Sequence, residues 1–206
     1  NDTLDALKIS AMARGKPLMT GLTSDDGVVR FIINDSWKQG ESHLADCIPR
    51  RTRDKISEAK RELIRQDIQD RYFPDTFDED KVMNLLRLYT DTLFGYPMAK
   101  MSTYFANLTY GYVFQYYGSW SRPSPFPYKL VAHGAEISYL FYYTNRSLPL
   151  ESCSLNQANL AINKQMVKWW TTFAKSGYPD PQWPTVSNSG YMVINFPTSF
   201  MNSSTF

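Results

Sequence analysis

The sequence predicts an α/β fold, a mostly parallel sheet with helices on both faces, and three observations predict it. Runs at residues 17–23, 110–117 and 191–196 have strand composition, amphipathic stretches of helical period lie between them, and no internal repeat or low-complexity segment interrupts the alternation. The 206 residues include 43% hydrophobic and 20% charged side chains, the balance of a packed globular protein.

Residues 17–23 (Pro-Leu-Met-Thr-Gly-Leu-Thr) read as a short buried strand. Ser24-Asp25-Asp26-Gly27 reads as a turn rich in helix-capping residues, and Val28, Val29, Phe31, Ile32 and Ile33 then open a helix. An acidic turn therefore stands at the C-terminal end of a strand, where ligands and catalytic groups collect in open α/β sheets. From Thr52 to Tyr72 the residues Ile56, Ala59, Leu63, Ile64, Ile68 and Tyr72 recur at helical spacing among many charges, and from Asp78 onward Val82, Leu85, Leu86, Tyr89 and Leu93 do the same. Both stretches read as surface helices with one packed face. Residues 110–117 are β-branched and aromatic, bounded by Gly118 and a Pro-rich loop at 122–127, and read as a buried strand. A third helix fits residues 156–174, with Ile162, Met166, Trp169 and Phe173 on one face, and a last strand fits 191–196. These are three clear strands, where a self-sufficient sheet of this kind has roughly five or six. Half of the sheet is expected to be absent from this chain.

The formal charge of +2 is too small to call for nucleic acid or an anionic membrane as partner. The basic cluster Arg50, Arg51, Arg53 and Lys55 stands with Asp54, Glu58 and Glu62 and reads as a solvated helix start. No apolar run approaches the roughly 18 residues of a membrane span, and the opening Asn-Asp-Thr-Leu-Asp reads as the start of a mature or excised segment. Asn-x-Ser/Thr acceptors occur at Asn1, Asn34, Asn107, Asn145 and Asn202. Chance gives about two such triplets for this composition, so the excess favours a secreted, extracellular glycoprotein. Cys47 and Cys153 then become candidates for a disulfide, with each other or with a cysteine elsewhere.

Only His43 and His133 are available for histidine chemistry. His133 stands on a loop beside Gly134, exposed enough to reach a substrate and suited to acid/base work near neutral pH. On its own it is also an ordinary loop histidine; its neighbours change the weighting. The run His133-Gly134-x-Glu136-Ile137-x-Tyr139-Leu140-Phe141 resembles the catalytic-histidine segment of the type-B carboxylesterase family, which includes cholinesterases and juvenile hormone esterases. Upstream, Leu18-Met19-Thr20-Gly21-Leu22-Thr23-Ser24-Asp25-Asp26-Gly27 is similar to the family's strand and turn that end in the triad acid followed by glycine. Downstream, Trp170-Thr171-Thr172-Phe173-Ala174-Lys175-Ser176-Gly177-Tyr178-Pro179-Asp180-Pro181, followed by Gln182-Trp183-Pro184, resembles the family's helix end and Pro-rich loop. Three motifs in the family's order span most of the chain.

The resemblance implies that residues 1–206 form the C-terminal portion of one α/β-hydrolase domain. It implies His133 as general base and Asp26 as the acid that orients it, with Gly27, Gly134 and Glu136 as supporting residues. Most members carry glutamate at the acid position. Aspartate here shortens the reach by one methylene, and Asp25 is the competing assignment; Asp26 is preferred because it directly precedes Gly27. Gly95 stands where cholinesterases carry a cysteine, which points to a general or insect-type esterase and away from a true cholinesterase.

The nucleophile is the largest departure. An α/β-hydrolase places its serine in Gly-x-Ser-x-Gly before the acid and the histidine, and none of the 25 residues preceding Asp26 forms that elbow. Gly40-Glu41-Ser42-His43-Leu44 begins like the family's elbow, but it lacks the last glycine, follows no strand and comes after Asp26, so Ser42 and His43 read as surface residues. His133-x-x-Glu136 lacks the second histidine of a zinc helix, and no phosphate loop or dinucleotide fingerprint is present, so no metal or organic cofactor is implied. The expected partners are the N-terminal segment of the same hydrolase, as a separate or cleaved chain bearing the serine and oxyanion hole, and a small carboxylic ester. The alternative is a catalytically silent adhesion or binding protein, since the family includes members that kept the fold and lost the serine.

Overall fold

The computed structural model describes residues 8, 11–33, 47–74, 78–121, 126, 128–141, 156–197 and 199–201. Strand β1 (Leu18–Thr23) leads through a four-residue turn into helix α1 (Val28–Ile33). Helices α2 (Arg50–Arg53), α3 (Glu58–Tyr72) and α4 (Asp78–Thr90) follow, and α4 continues through a π-helical turn (Asp91–Gly95) into α5 (Tyr96–Tyr104). Strand β2 (Thr109–Phe114) precedes the loop that carries His133, which runs into the single turn of α6 (Ile137–Leu140). The long helix α7 (Gln157–Ser176), the short α8 (Val186–Ser189) and strands β3 (Tyr191–Ile194) and β4 (Ser199–Met201) follow.

The sheet order is β1-β2-β3-β4. The first three strands are parallel, with Leu22, Val113 and Val193 in register, and β4 pairs antiparallel to β3. Successive strand side chains point to opposite faces, and both faces are covered. Tyr112 and Phe114 of β2 and Met192 and Ile194 of β3 meet Ile162, Met166 and Trp169 of α7 in the main core. On the other face Leu22, Val113 and Tyr191 pack against Met98 of α5 and Phe94 of the π turn. Burial on both faces explains the near-continuous apolar and aromatic composition of β2 and β3.

Several boundaries differ from the sequence expectation for local reasons. The helix expected over 52–72 is two helices: α2 closes at Asp54, and the Ser57 hydroxyl starts α3 by accepting the Lys60 N–H at 3.3 Å. The strand expected over 110–117 begins at Thr109 and ends at Phe114, after which the Tyr116 hydroxyl donates to Asn159 of α7 at 2.8 Å. The last strand stops at Ile194, where the Asn195 side chain accepts the Phe196 N–H at 2.8 Å and the chain turns back as β4. β4 was not anticipated, because a three-residue antiparallel strand carries too little pattern to register.

Candidate active site

The site stands at the C-terminal ends of β1 and β2, where two loops are laced together. Ser24 N–H donates to the Phe114 carbonyl at 3.0 Å, and Asp25 N–H to the Val131 carbonyl at 3.3 Å. The Asp25 carboxylate accepts the Val131 N–H and the Ser24 hydroxyl, both at 2.8 Å. Asp25 therefore serves the frame, and the next carboxylate faces inward.

Asp26 is 3% exposed. Its Oδ1 accepts the Thr23 hydroxyl at 2.7 Å and lies 2.8 Å from His133 Nδ1, while its Oδ2 accepts the Thr23 N–H at 3.0 Å. Three partners satisfy a carboxylate that burial alone would disfavour as an anion. A carboxylate can only accept, so Nδ1 carries the proton in the neutral imidazole and Nε2 is left with its lone pair. The His133 side chain is 52% exposed. Of the two adjacent aspartates, Asp26 is the one brought to the histidine.

The supporting residues have distinct placements. Gly27 N–H donates to the Thr90 hydroxyl at 2.9 Å, and a Cβ on Gly27 would collide with the Leu86 carbonyl of α4. Glycine is thus what lets α4 approach the acid turn. Gly134 has φ +75°, a left-handed value that side-chain-bearing residues avoid, and it turns the chain directly after His133. Glu136 is half-buried, and its Oε2 has no hydrogen-bond partner among the described residues. Burial, reinforced by the nearby Asp26 carboxylate, raises its pKa. Under the loop Tyr139 is fully buried, with its ring against Phe114 at 5.4 Å and Tyr116 at 5.5 Å.

Sequence reasoning missed three residues of this site: Thr23, Thr90 and Phe94, whose ring centroid lies 4.9 Å from that of His133. For Thr23, the spacing to Asp26 was a usable signal, since a hydroxyl three residues before an aspartate in a turn is within local bonding reach. Ser42 and His43 lie outside the described residues, as do Cys153 and the acceptors Asn1, Asn34, Asn145 and Asn202. Asn107 is exposed in the turn before β2, and Cys47 packs against Phe73 and Leu88.

The family model described as "Carboxylesterase family" matches residues 2–205. The chain belongs to the carboxylesterase family. Among curated relatives it is 26% identical over 201 residues to "Esterase FE4" of Myzus persicae, an alignment covering 87% of this chain and 35% of that protein. It is 30% identical over 138 residues to the "Liver carboxylesterase" of Sus scrofa, covering 63% of this chain and 24% of that one. The chain thus spans about a third or less of the length of these carboxylesterase relatives. The juvenile hormone esterase of Manduca sexta superposes with a TM-score of 0.67 at 19% identity, over 96% of this chain and 40% of that one. A carboxylesterase of Geobacillus stearothermophilus gives 0.64 at 20% identity over the same shares. The fold is accordingly part of the α/β-hydrolase of carboxylesterases. No helix among the described residues is long and apolar enough to cross a membrane.

Proposed function

We propose that this chain supplies the histidine and acid of a serine carboxylic ester hydrolase whose nucleophile and oxyanion hole lie on an N-terminal segment outside this sequence. The observation that carries the reading is the 2.8 Å contact between His133 Nδ1 and the buried Asp26 carboxylate, with the rest of the His133 side chain half-exposed. Family membership supports the ester class. The open outer edge of β1, which pairs with no further strand among the described residues, supports the missing segment, since an unpaired edge is a ready pairing site.

In this mechanism His133 Nε2 takes the serine proton as the oxygen attacks the ester carbonyl. The imidazolium, held by Asp26, then gives that proton to the departing alcohol as the C–O bond breaks. Water repeats the sequence on the acyl-enzyme and releases the acid. Asp26 stays ionised throughout and holds the ring in the productive tautomer.

We read the protein as secreted and glycosylated, on the acceptor excess and on the exposure of Asn107. The deciding experiment assays the complete enzyme on a short-chain aryl ester with His133→Ala. A loss of about 10³-fold or more in kcat is expected. Full turnover in that variant would discard the mechanism. An intact protein that binds the ester and never turns it over would favour a silent binding role.

A further inference from the structure

The turn that carries the acid, through Gly27, and the histidine both touch a third element, the helix that runs from α4 through the π turn into α5. Thr90, the last residue of α4, accepts the Gly27 N–H at 2.9 Å while its own hydroxyl donates to the Leu86 carbonyl at 2.9 Å. Four residues later Phe94 lies against His133, ring centroids 4.9 Å apart and planes inclined by 38°. Phe94 also packs against the core patch of Leu22, Met98, Val113 and Tyr191, which ties it to the sheet.

The wide turn that presents Phe94 has a cause in the sequence. Pro97 has no N–H to give to the Leu93 carbonyl, and its ring would strike that carbonyl in a regular helix. The helix widens instead, and Tyr96 N–H bonds back five residues to the Asp91 carbonyl. Such single π turns recur at functional sites.

We propose that Phe94 is a positioning residue for His133: it backs one face of the imidazole so that the ring cannot swing off the Asp26 contact, and Thr90 fixes the same helix to the acid turn. The His133 side chain is half-exposed and held by one side-chain hydrogen bond among the described residues, so a second contact is needed to define its plane. This rests on the esterase reading above. Phe94 touches the base and takes no part in proton transfer.

The test uses the complete enzyme with Phe94→Leu and Phe94→Tyr, assayed on a short-acyl and a long-acyl ester, with His133→Ala as reference. Phe94→Leu should lower kcat about tenfold or more on both esters, with KM changed by less than about twofold, and Phe94→Tyr should restore most of the loss. Independently of activity, the ring-proton resonances of His133 should lose the ring-current shift of the aromatic neighbour in Phe94→Leu and keep it in Phe94→Tyr. Thermal melting identifies a variant that fails to fold, in which case the Tyr variant and the resonance shift decide. An unchanged kcat in folded Phe94→Leu, an effect confined to KM and to one acyl length, or an unshifted histidine resonance would overturn the proposal. If His133→Ala keeps full activity, the esterase reading fails first; if it is dead while Phe94→Leu matches wild type, only the positioning role fails.

Discussion

Thr23 holds both oxygens of Asp26, its hydroxyl donating to Oδ1 at 2.7 Å and its backbone N–H to Oδ2 at 3.0 Å. The carboxylate is thus oriented from within its own turn before His133 meets it. Thr23→Val keeps the shape and removes the hydroxyl from a fully buried position, and should destabilise the intact protein by about 1–3 kcal/mol in a urea titration. Asp26→Asn should leave ester binding nearly unchanged and cost up to roughly 10⁴ in turnover, because an amide no longer fixes the tautomer. Turnover that survives Asp26→Asn would count against the acid assignment.

Gly27→Ala tests the close approach of α4 to the acid turn. The added Cβ meets the Leu86 carbonyl and the Thr90 backbone nitrogen, and backbone cannot step aside as a flexible side chain would. A loss of at least about 1–3 kcal/mol is expected, from overpacking and the broken bond to Thr90. A wild-type melting curve would show that α4 shifts freely.

Glu136 predicts a pH dependence. Burial raises its folded pKa above its ordinary value of 4.5. The folded state therefore binds more protons than the unfolded state in that window, and stability falls as pH rises from about 4.5 through the folded pKa. Glu136→Gln removes the titration. The variant should gain stability relative to wild type as pH rises over that range, measured as the difference between paired denaturant titrations. A constant difference would place an ion partner for Glu136 elsewhere in the complete enzyme.

Asn107 is the described acceptor that is exposed, two residues before the fully buried Thr109 of its triplet. Material from a secretory host should lose mass on glycosidase treatment, and Asn107→Gln should remove one glycan of that mass. No shift at any acceptor would remove the main support for secretion.

The 206-residue chain by itself should not melt cooperatively. Strand β1 pairs with a strand along one edge only among the described residues, and its outer edge offers unpaired backbone groups. Far-UV circular dichroism against temperature checks this; a sharp monomeric transition would mean that the sheet is sufficient as it stands.

Much of this architecture was legible in order, because the signals were local. The turn Ser24-Asp25-Asp26-Gly27 after an apolar strand, the helical period of Ile162, Met166 and Trp169, and the aromatic run of β2 each depend on neighbours a few residues away. The segment around His133 was legible as a family motif. The helix break at Ser57 and strand β4 were not, since a cap and a three-residue strand are decided by pairing and packing more than by period.

What the sequence by itself determined, then, is the three parallel strands, the long helices between them, their order, and His133 and Asp26 as candidate site residues. Which aspartate meets His133 was decided in three dimensions: the Asp25 carboxylate is taken by the Val131 N–H, and the turn then points Asp26 inward. Phe94 looks in sequence like any core aromatic. Only the wide turn forced by Pro97, and the passage of that helix over the ends of β1 and β2, bring it to a histidine 39 residues further on. Contacts of that range leave no local periodicity, because they arise from how whole elements pack and not from what neighbouring residues prefer.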